Sequence, residues 1–115
     1  MDFKIITPPV SDTVASTWNA CLDASAFATH YTAPEFFDEW YFKEKRPFAI
    51  LAAQGSVIHG IATGYFQHND VVVGSPGSPH ICLRNDADAQ VVGGTLANGL
   101  RAHATKSTVF VGAYS

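Results

Sequence analysis

This sequence is short of charge. Charged residues make up 15% of its 115 positions, against about 25% in an average soluble domain. So sparse a charged surface leaves apolar area for contact with a partner. A basic excess is also missing: seven basic and ten acidic side chains give a formal net charge of −3. Capture of a nucleic-acid backbone needs a basic face, so nucleic acid is excluded as a partner. No apolar run approaches the roughly 20 residues of a membrane span. The opening MDFKIITPPV lacks the basic segment and apolar stretch of a secretory signal. The chain therefore reads as cytoplasmic, with no membrane partner. Cysteine is scarce, with Cys21 and Cys82 each in an apolar stretch. Buried free thiols in a reducing compartment are the plain reading, with a disulfide or a nucleophile as alternatives.

The usual catalytic signatures are absent as well. His30, His59, His68, His80 and His103 include no pair one helical turn apart, so no metal site is expected. There is no Gly-x-Ser-x-Gly elbow, and neither cysteine sits in a recognisable nucleophile setting. What is present is a 47% hydrophobic chain, enough for one globular domain over residues 1–115 with one modest core.

The order of elements carries more information. Phe3 to Ile6 reads as a strand ended by Thr7-Pro8-Pro9. Ser11 or Asp12 can cap a first helix with Val14, Trp18 and Leu22 on one face. Thr32-Ala33-Pro34-Glu35 has the form of a capping box with proline in the first turn. It predicts a second helix to about Arg46, acidic at its start and basic at its end. Strands follow at Phe48–Ala53, Val57–Gln67 and Val71–Val73. The turns Gln54-Gly55 and Asn69-Asp70 between them force antiparallel pairing. In the long strand, Val57, Ile61 and Tyr65 are expected on one face and Ile58, Ala62 and Phe66 on the other, so both faces should be covered. Gly60 and Gly64 make a small-residue track that implies close packing or a bulge. Residues 74–79, Gly-Ser-Pro-Gly-Ser-Pro, form a loop that is either a functional lip or a plain connector. His80 to Arg84 is a strand, and a helix from about Ala87 to Lys106 places Val92, Leu96, Leu100 and Ala104 on one face. An apolar strand, Thr108 to Tyr114, completes a β-α-β crossover with its two strands parallel. The fold class is α/β: a mixed, mostly antiparallel sheet with helices on both faces, in the order β-α-α-β-β-β-α-β.

Within this order, Gln90-Val91-Val92-Gly93-Gly94-Thr95 follows a strand and opens the long helix. Glycines at a helix start expose backbone N–H groups that, with the helix dipole, can hold a pyrophosphate. They equally allow a helix to approach a sheet closely.

The order resembles the front part of a GNAT-fold N-acyltransferase. In that family the fourth strand leads into a Gln/Arg-x-x-Gly-x-Gly/Ala loop and a helix that binds the pyrophosphate of acyl-CoA. Gln90 and Gly93 match the first two fixed positions, and Thr95 stands where Gly or Ala is expected. The chain is most similar to the N-terminal half of Fem-type, double-GNAT acyltransferases. That resemblance rests on Trp18, on Thr32 through Phe36, on Phe48-Ala49-Ile50-Leu51, and on Gly74 through Pro79. It implies a domain lacking the usual C-terminal helix and strands. It also implies acyl-CoA as cofactor, with Gln90, Gly93, Gly94 and Thr95 as the residues that hold it. Activity would be transfer of an acyl group to an amine, with Glu35 and His59 as candidate bases because they can accept a proton. A non-catalytic module of the same fold, binding a small ligand or a partner protein, is the alternative. The bare final strand implies a homodimer or a contact with a missing C-terminal domain.

Overall fold

The computed structural model describes residues 1–26, 28–39, 44–67, 70–73, 80–104 and 109–111. The expected element order is present except at the second helix. It reads β1 (Asp2–Ile6), α1 (Asp12–Asp23), two 3₁₀ turns (His30–Thr32 and Pro34–Asp38), β2 (Phe48–Gln54), β3 (Val57–Gln67), β4 (Asp70–Val73), β5 (Ile81–Leu83), α2 (Ala89–His103) and β6 (Val109–Val111). The sheet runs β1-β2-β3-β4-β6, with β5 also on β3. Every pairing is antiparallel except that of β4 with β6, which is parallel. The architecture is thus a mixed, mostly antiparallel α/β sheet, covered by α1 on one face and α2 on the other.

Each helix starts where a side chain can satisfy its first N–H groups. Ser11 accepts from the Val14 N–H, and Asp88 accepts from the N–H groups of Gln90 and Val91. On the α1 face Trp18 and Cys21 pack on Phe36, Phe37, Leu51, Ile61 and Tyr65, with Val14 and Leu22 at the margin. On the α2 face Val92, Leu96, Leu100 and Ala104 pack on Phe48, Ile50, Ala52 and Ala62, as their helical spacing predicts. Glycines set the distance between α2 and the sheet at two places. A methyl group at Gly60 would collide with Val92, and one at Gly99 with Ile50. Gly93 and Gly94, by contrast, face open space.

Three expectations need correction. The second helix is not a long α-helix in its described part: Pro34–Asp38 is a 3₁₀ turn that ends at an extended Glu39. The cause is local. The Thr32 hydroxyl that was to cap this helix instead completes a capping box with Thr29, and Ala33 stands as an N-cap with no side-chain bond. Residues 40–43, which carry most of the aromatic run, lie outside the described residues. Second, Ile58 packs on the α1 face while Val57 is exposed. The pairing with β2 skips from Gly60 to Ile58, so His59 is the extra residue of a β-bulge and the alternation flips beyond it. Third, β6 pairs with β4, not with β5. The long helix, expected from about Ala87, begins at Ala89, and Gly93 and Gly94 lie in its second turn. The loop 74–79 and the end of the last strand, 112–115, fall outside the described residues.

Candidate functional site

The two strands β4 and β5 are halves of one strand. Both run antiparallel to β3 on the edge away from β2. Tyr65 to Gln67 take Val72 to Asp70, and Gly60 to Ala62 take Leu83 to Ile81. The register along β3 steps by six residues between the two halves. The described pairing with β3 resumes at His80, whose carbonyl accepts from Thr63 N–H at 2.8 Å. β6 lies beside the β4 half only.

Among the described residues the β5 half is therefore an open edge. Thr63 N–H donates to His80 and Arg84 N–H to His59, so the even-numbered residues of this strand bond inward to β3. By the antiparallel alternation, Ile81 and Leu83 turn both N–H and C=O outward. Among the described residues no strand pairs with them. The edge closes one step later, where Asn85 N–H donates to the Ala24 carbonyl and Arg84 bridges Ser25. A cavity of about 400 Å³ lies along this edge and the start of α2, lined by Ile81, Leu83, Arg84, Asn85, Ala87 and Ala89 among others. Ile81 is more than a third exposed here, although it is a large apolar side chain.

The helix start facing this cavity is already occupied by its own cap. Asp88 takes the Gln90 and Val91 N–H groups at 3.1 and 3.2 Å, and its backbone carbonyl takes that of Val92. Arg84 donates to Asp86 at 3.1 Å, and this guanidinium holds the Asp86 carboxyl below the usual carboxylate range. Of the residues expected to hold a cofactor, Gln90 is exposed on the first turn, and Gly93 and Gly94 are exposed one turn further on. Thr95 is buried, and its hydroxyl donates to the Val91 carbonyl.

The two candidate bases are not brought together. Glu35 is exposed beside Pro8, Pro9, Val10 and Phe37, at the 3₁₀ turn below α1. His59 sits half-buried at the bulge of β3, and its backbone carbonyl accepts from Arg84, a residue of the cavity lining.

Sequence reasoning missed a third group, His80, at the point where the strand rejoins the sheet. It is 2% exposed, stacks on Tyr31 at 5.1 Å, and meets the edge of Phe36. Its Nδ1 lies 3.0 Å from Thr63 Oγ1, and that hydroxyl donates its single hydrogen to the Tyr31 carbonyl. The imidazole must then donate from Nδ1, which leaves the lone pair on Nε2. Burial pushes its pKa down to about 4, so it is neutral at physiological pH. Only the setting of a histidine at the head of an apolar strand hinted at this. Its partners lie 17 and 49 positions away in the chain.

The thiols contribute no nucleophile. Cys21 and Cys82 are buried and free, and burial pushes Cys21 up to about 11 and Cys82 in the same direction. Among the described residues no cluster of His, Cys, Asp and Glu is placed to hold a metal, and no helix is long and apolar enough to cross a membrane.

No protein-family model matches this sequence, and no curated protein matches it. Among solved structures, the ribosomal-protein-S18-alanine N-acetyltransferase from Escherichia coli matches with a TM-score of 0.56 at 12% identity. The match covers 90% of this chain and 60% of that one. At this identity the likeness is one of fold: the chain has the GNAT-type fold of that acetyltransferase and spans about three-fifths of its length.

Proposed function

We propose that this chain is an acyltransferase domain that seats the arm of an acyl-CoA along the outer edge of β5 and transfers the acyl group to an amine. The observation that carries this reading is the broken strand. It leaves Ile81 and Leu83 with outward backbone N–H and C=O groups beside a cavity of about 400 Å³. An extended ligand bearing amides adds to such an edge as a further strand, with main-chain hydrogen bonds giving affinity. The pantetheine arm of CoA is such a ligand. An acyl-CoA bound here would supply the thioester; the protein would supply backbone donors, an apolar wall from Leu83 and Ala87, and a proton acceptor. His59 is the better placed of the two candidate bases, because its carbonyl pairs with Arg84 of the cavity lining, whereas Glu35 lines a separate hollow with Pro8, Pro9 and Phe37. Gln90, Gly93 and Gly94 would face the nucleotide end.

One observation favours the second reading, a non-catalytic module of the same fold that binds a small ligand or a partner protein. The helix-start N–H groups that a pyrophosphate needs are held by the Asp88 carboxylate, whose charge opposes a second anion. The resemblance to the N-terminal half of a Fem-type transferase belongs with this reading. Calorimetric titration with acetyl-CoA separates the two. On the first reading acetyl-CoA binds, Asp88→Asn tightens binding, and Ile81→Pro, which removes an outward N–H, weakens it at least tenfold. Absence of heat with millimolar acetyl-CoA, in both the wild type and Asp88→Asn, overturns the transferase reading.

A further inference from the structure

A second open edge lies at the opposite side of the sheet. β1 is the terminal strand of the sheet order, and nothing among the described residues pairs with its outer side. Met1, Phe3 and Ile5 are each 37% exposed or more, although they are among the largest apolar side chains in the molecule. They share one face of the strand, since Phe3 and Ile5 stand opposite Ala52 and Ile50 on the α2 side. Asp2 and Lys4 stand on the other face, both exposed, and neither forms an ion pair among the described residues.

The direction of the backbone groups follows from the ladder. The odd-numbered residues of β3 bond to β5, so its even-numbered residues bond to β2, and Ala49 and Leu51 of β2 bond to β1. Lys4 and Ile6 therefore face inward, and Phe3 and Ile5 turn N–H and C=O outward.

We propose that a second copy of this chain pairs antiparallel along β1, with Phe3 on the two-fold axis. The register follows from charge. Centred on Phe3, the pairing sets Asp2 of each copy opposite Lys4 of the other, Phe3 opposite Phe3, and Met1 opposite Ile5. Both ion pairs fall on one face and all the exposed apolar side chains on the other. The outward N–H and C=O groups of Phe3 meet their own counterparts as a hydrogen-bonded pair. Centred on Lys4, the same strand sets two like charges directly opposite one another, which is destabilising. Centred on Ile5, it leaves Asp2 without a partner and sets Lys4 against Ile6. Only the first register satisfies charge, apolar match and backbone direction together. The contact is isologous, as a closed dimer requires. Lys4, which would repel a foreign strand at this edge, admits a copy of its own chain.

Sedimentation equilibrium on the whole chain, from about 1 to 500 μM, tests the proposal. The wild type dimerises. Lys4→Asp, which places carboxylates opposite each other twice, raises the dimer Kd at least tenfold. The double change Asp2→Lys with Lys4→Asp exchanges the charges and restores association, which a folding defect would not. Under oxidised glutathione, Phe3→Cys crosslinks two copies and Ile5→Cys does not, since only position 3 meets itself; Cys21 and Cys82 are buried and do not compete. A wild type that stays monomeric to 500 μM overturns the proposal. So does a dimer indifferent to Lys4→Asp, or one that Ile5→Cys crosslinks and Phe3→Cys does not.

Discussion

The two faces of this sheet are held to their helices by different means. On the α2 face the cover is one regular helix, and its contacts with the sheet are apolar: Val92, Leu96, Leu100 and Ala104 over Phe48, Ile50, Ala52 and Ala62. Its polar needs are met within the helix, by Asp88 at the cap and by the Thr95 hydroxyl on Val91. On the α1 face a shorter helix leaves sheet to be covered by two 3₁₀ turns, and irregular backbone buried there needs partners from elsewhere. Trp18 Nε1 donates to the Thr32 carbonyl at 2.6 Å, and Thr63 Oγ1 to the Tyr31 carbonyl at 2.5 Å. The α2 face is cohesive because its periodicity is right; the α1 face is cohesive because a few long-range hydrogen bonds are made.

Truncating the central residue of each face should break them differently. Trp18→Ala removes a fully buried indole and leaves the Thr32 carbonyl buried without its donor. The loss should be about 3–5 kcal/mol or more, since cavity and unmet carbonyl act together. Leu96→Ala should cost about 2–5 kcal/mol by transfer and cavity terms alone. Trp18→Phe sharpens the contrast: it keeps most of the apolar volume, so a residual loss of about 1–3 kcal/mol would report the unmet carbonyl. Urea denaturation measures all three, and Trp18→Phe as stable as wild type would remove the hydrogen bond from the account.

The pH response should come largely from the α1 face. The His80 pKa falls from its ordinary value near 6.5 to about 4 on burial. Between those values the unfolded chain binds the proton and the folded one does not, so stability is complete above about 6.5 and declines as pH drops toward 4. The expected decline is on the order of 2–3 kcal/mol. His103 on the other face, lowered by burial and by Arg46, adds in the same direction. The comparison of wild type with His80→Asn isolates the first group. Asparagine can still reach Thr63 but does not titrate, so its stability should be flatter from pH 6.5 to 4. Equal slopes in the two proteins would mean that the imidazole is protonated in the fold.

The same contrast explains what the sequence disclosed. The α2 face was legible because a helix over a sheet writes its burial as a period, and Val92 to Ala104 carry that period intact. The antiparallel pairings of β2, β3 and β4 were legible for a similar reason, since short turns leave no other pairing. The α1 face was not. A Thr-x-x-Glu pattern looks the same whether Thr32 caps forward or backward; here it caps backward onto Thr29, and its carbonyl accepts from Trp18, 14 positions away. The bulge at His59 was signalled only by the neighbouring Gly60, which left close packing and a bulge both open, and it turned Ile58 to the other face. At the candidate site, the cavity-lining segment Ile81 to Ala89 was read as an ordinary strand and turn. What makes it a site is the six-residue step in register between β4 and β5, which becomes visible only along β3.

The smallest expected effects separate the glycines of α2, which look alike in sequence. Gly99 lies where a methyl group would run into Ile50 and approach Phe3 at 3.2 Å. Alanine there gains helix propensity but overpacks a tight contact, and the net effect should be a loss of about 1 kcal/mol. Gly94 has nothing within 4 Å of that position. Alanine there meets no neighbour, restricts the unfolded chain and favours the helix, so Gly94→Ala should stabilise the fold by about 0.5–1 kcal/mol. A glycine that costs the isolated domain stability invites a reason outside the fold. If an acyl-CoA or a partner approaches this helix closely, Gly94→Ala will weaken that binding while raising the melting temperature. Thermal denaturation with and without acetyl-CoA reads both quantities in one experiment. A variant that is no more stable than wild type would place Gly94 against a surface of the protein itself.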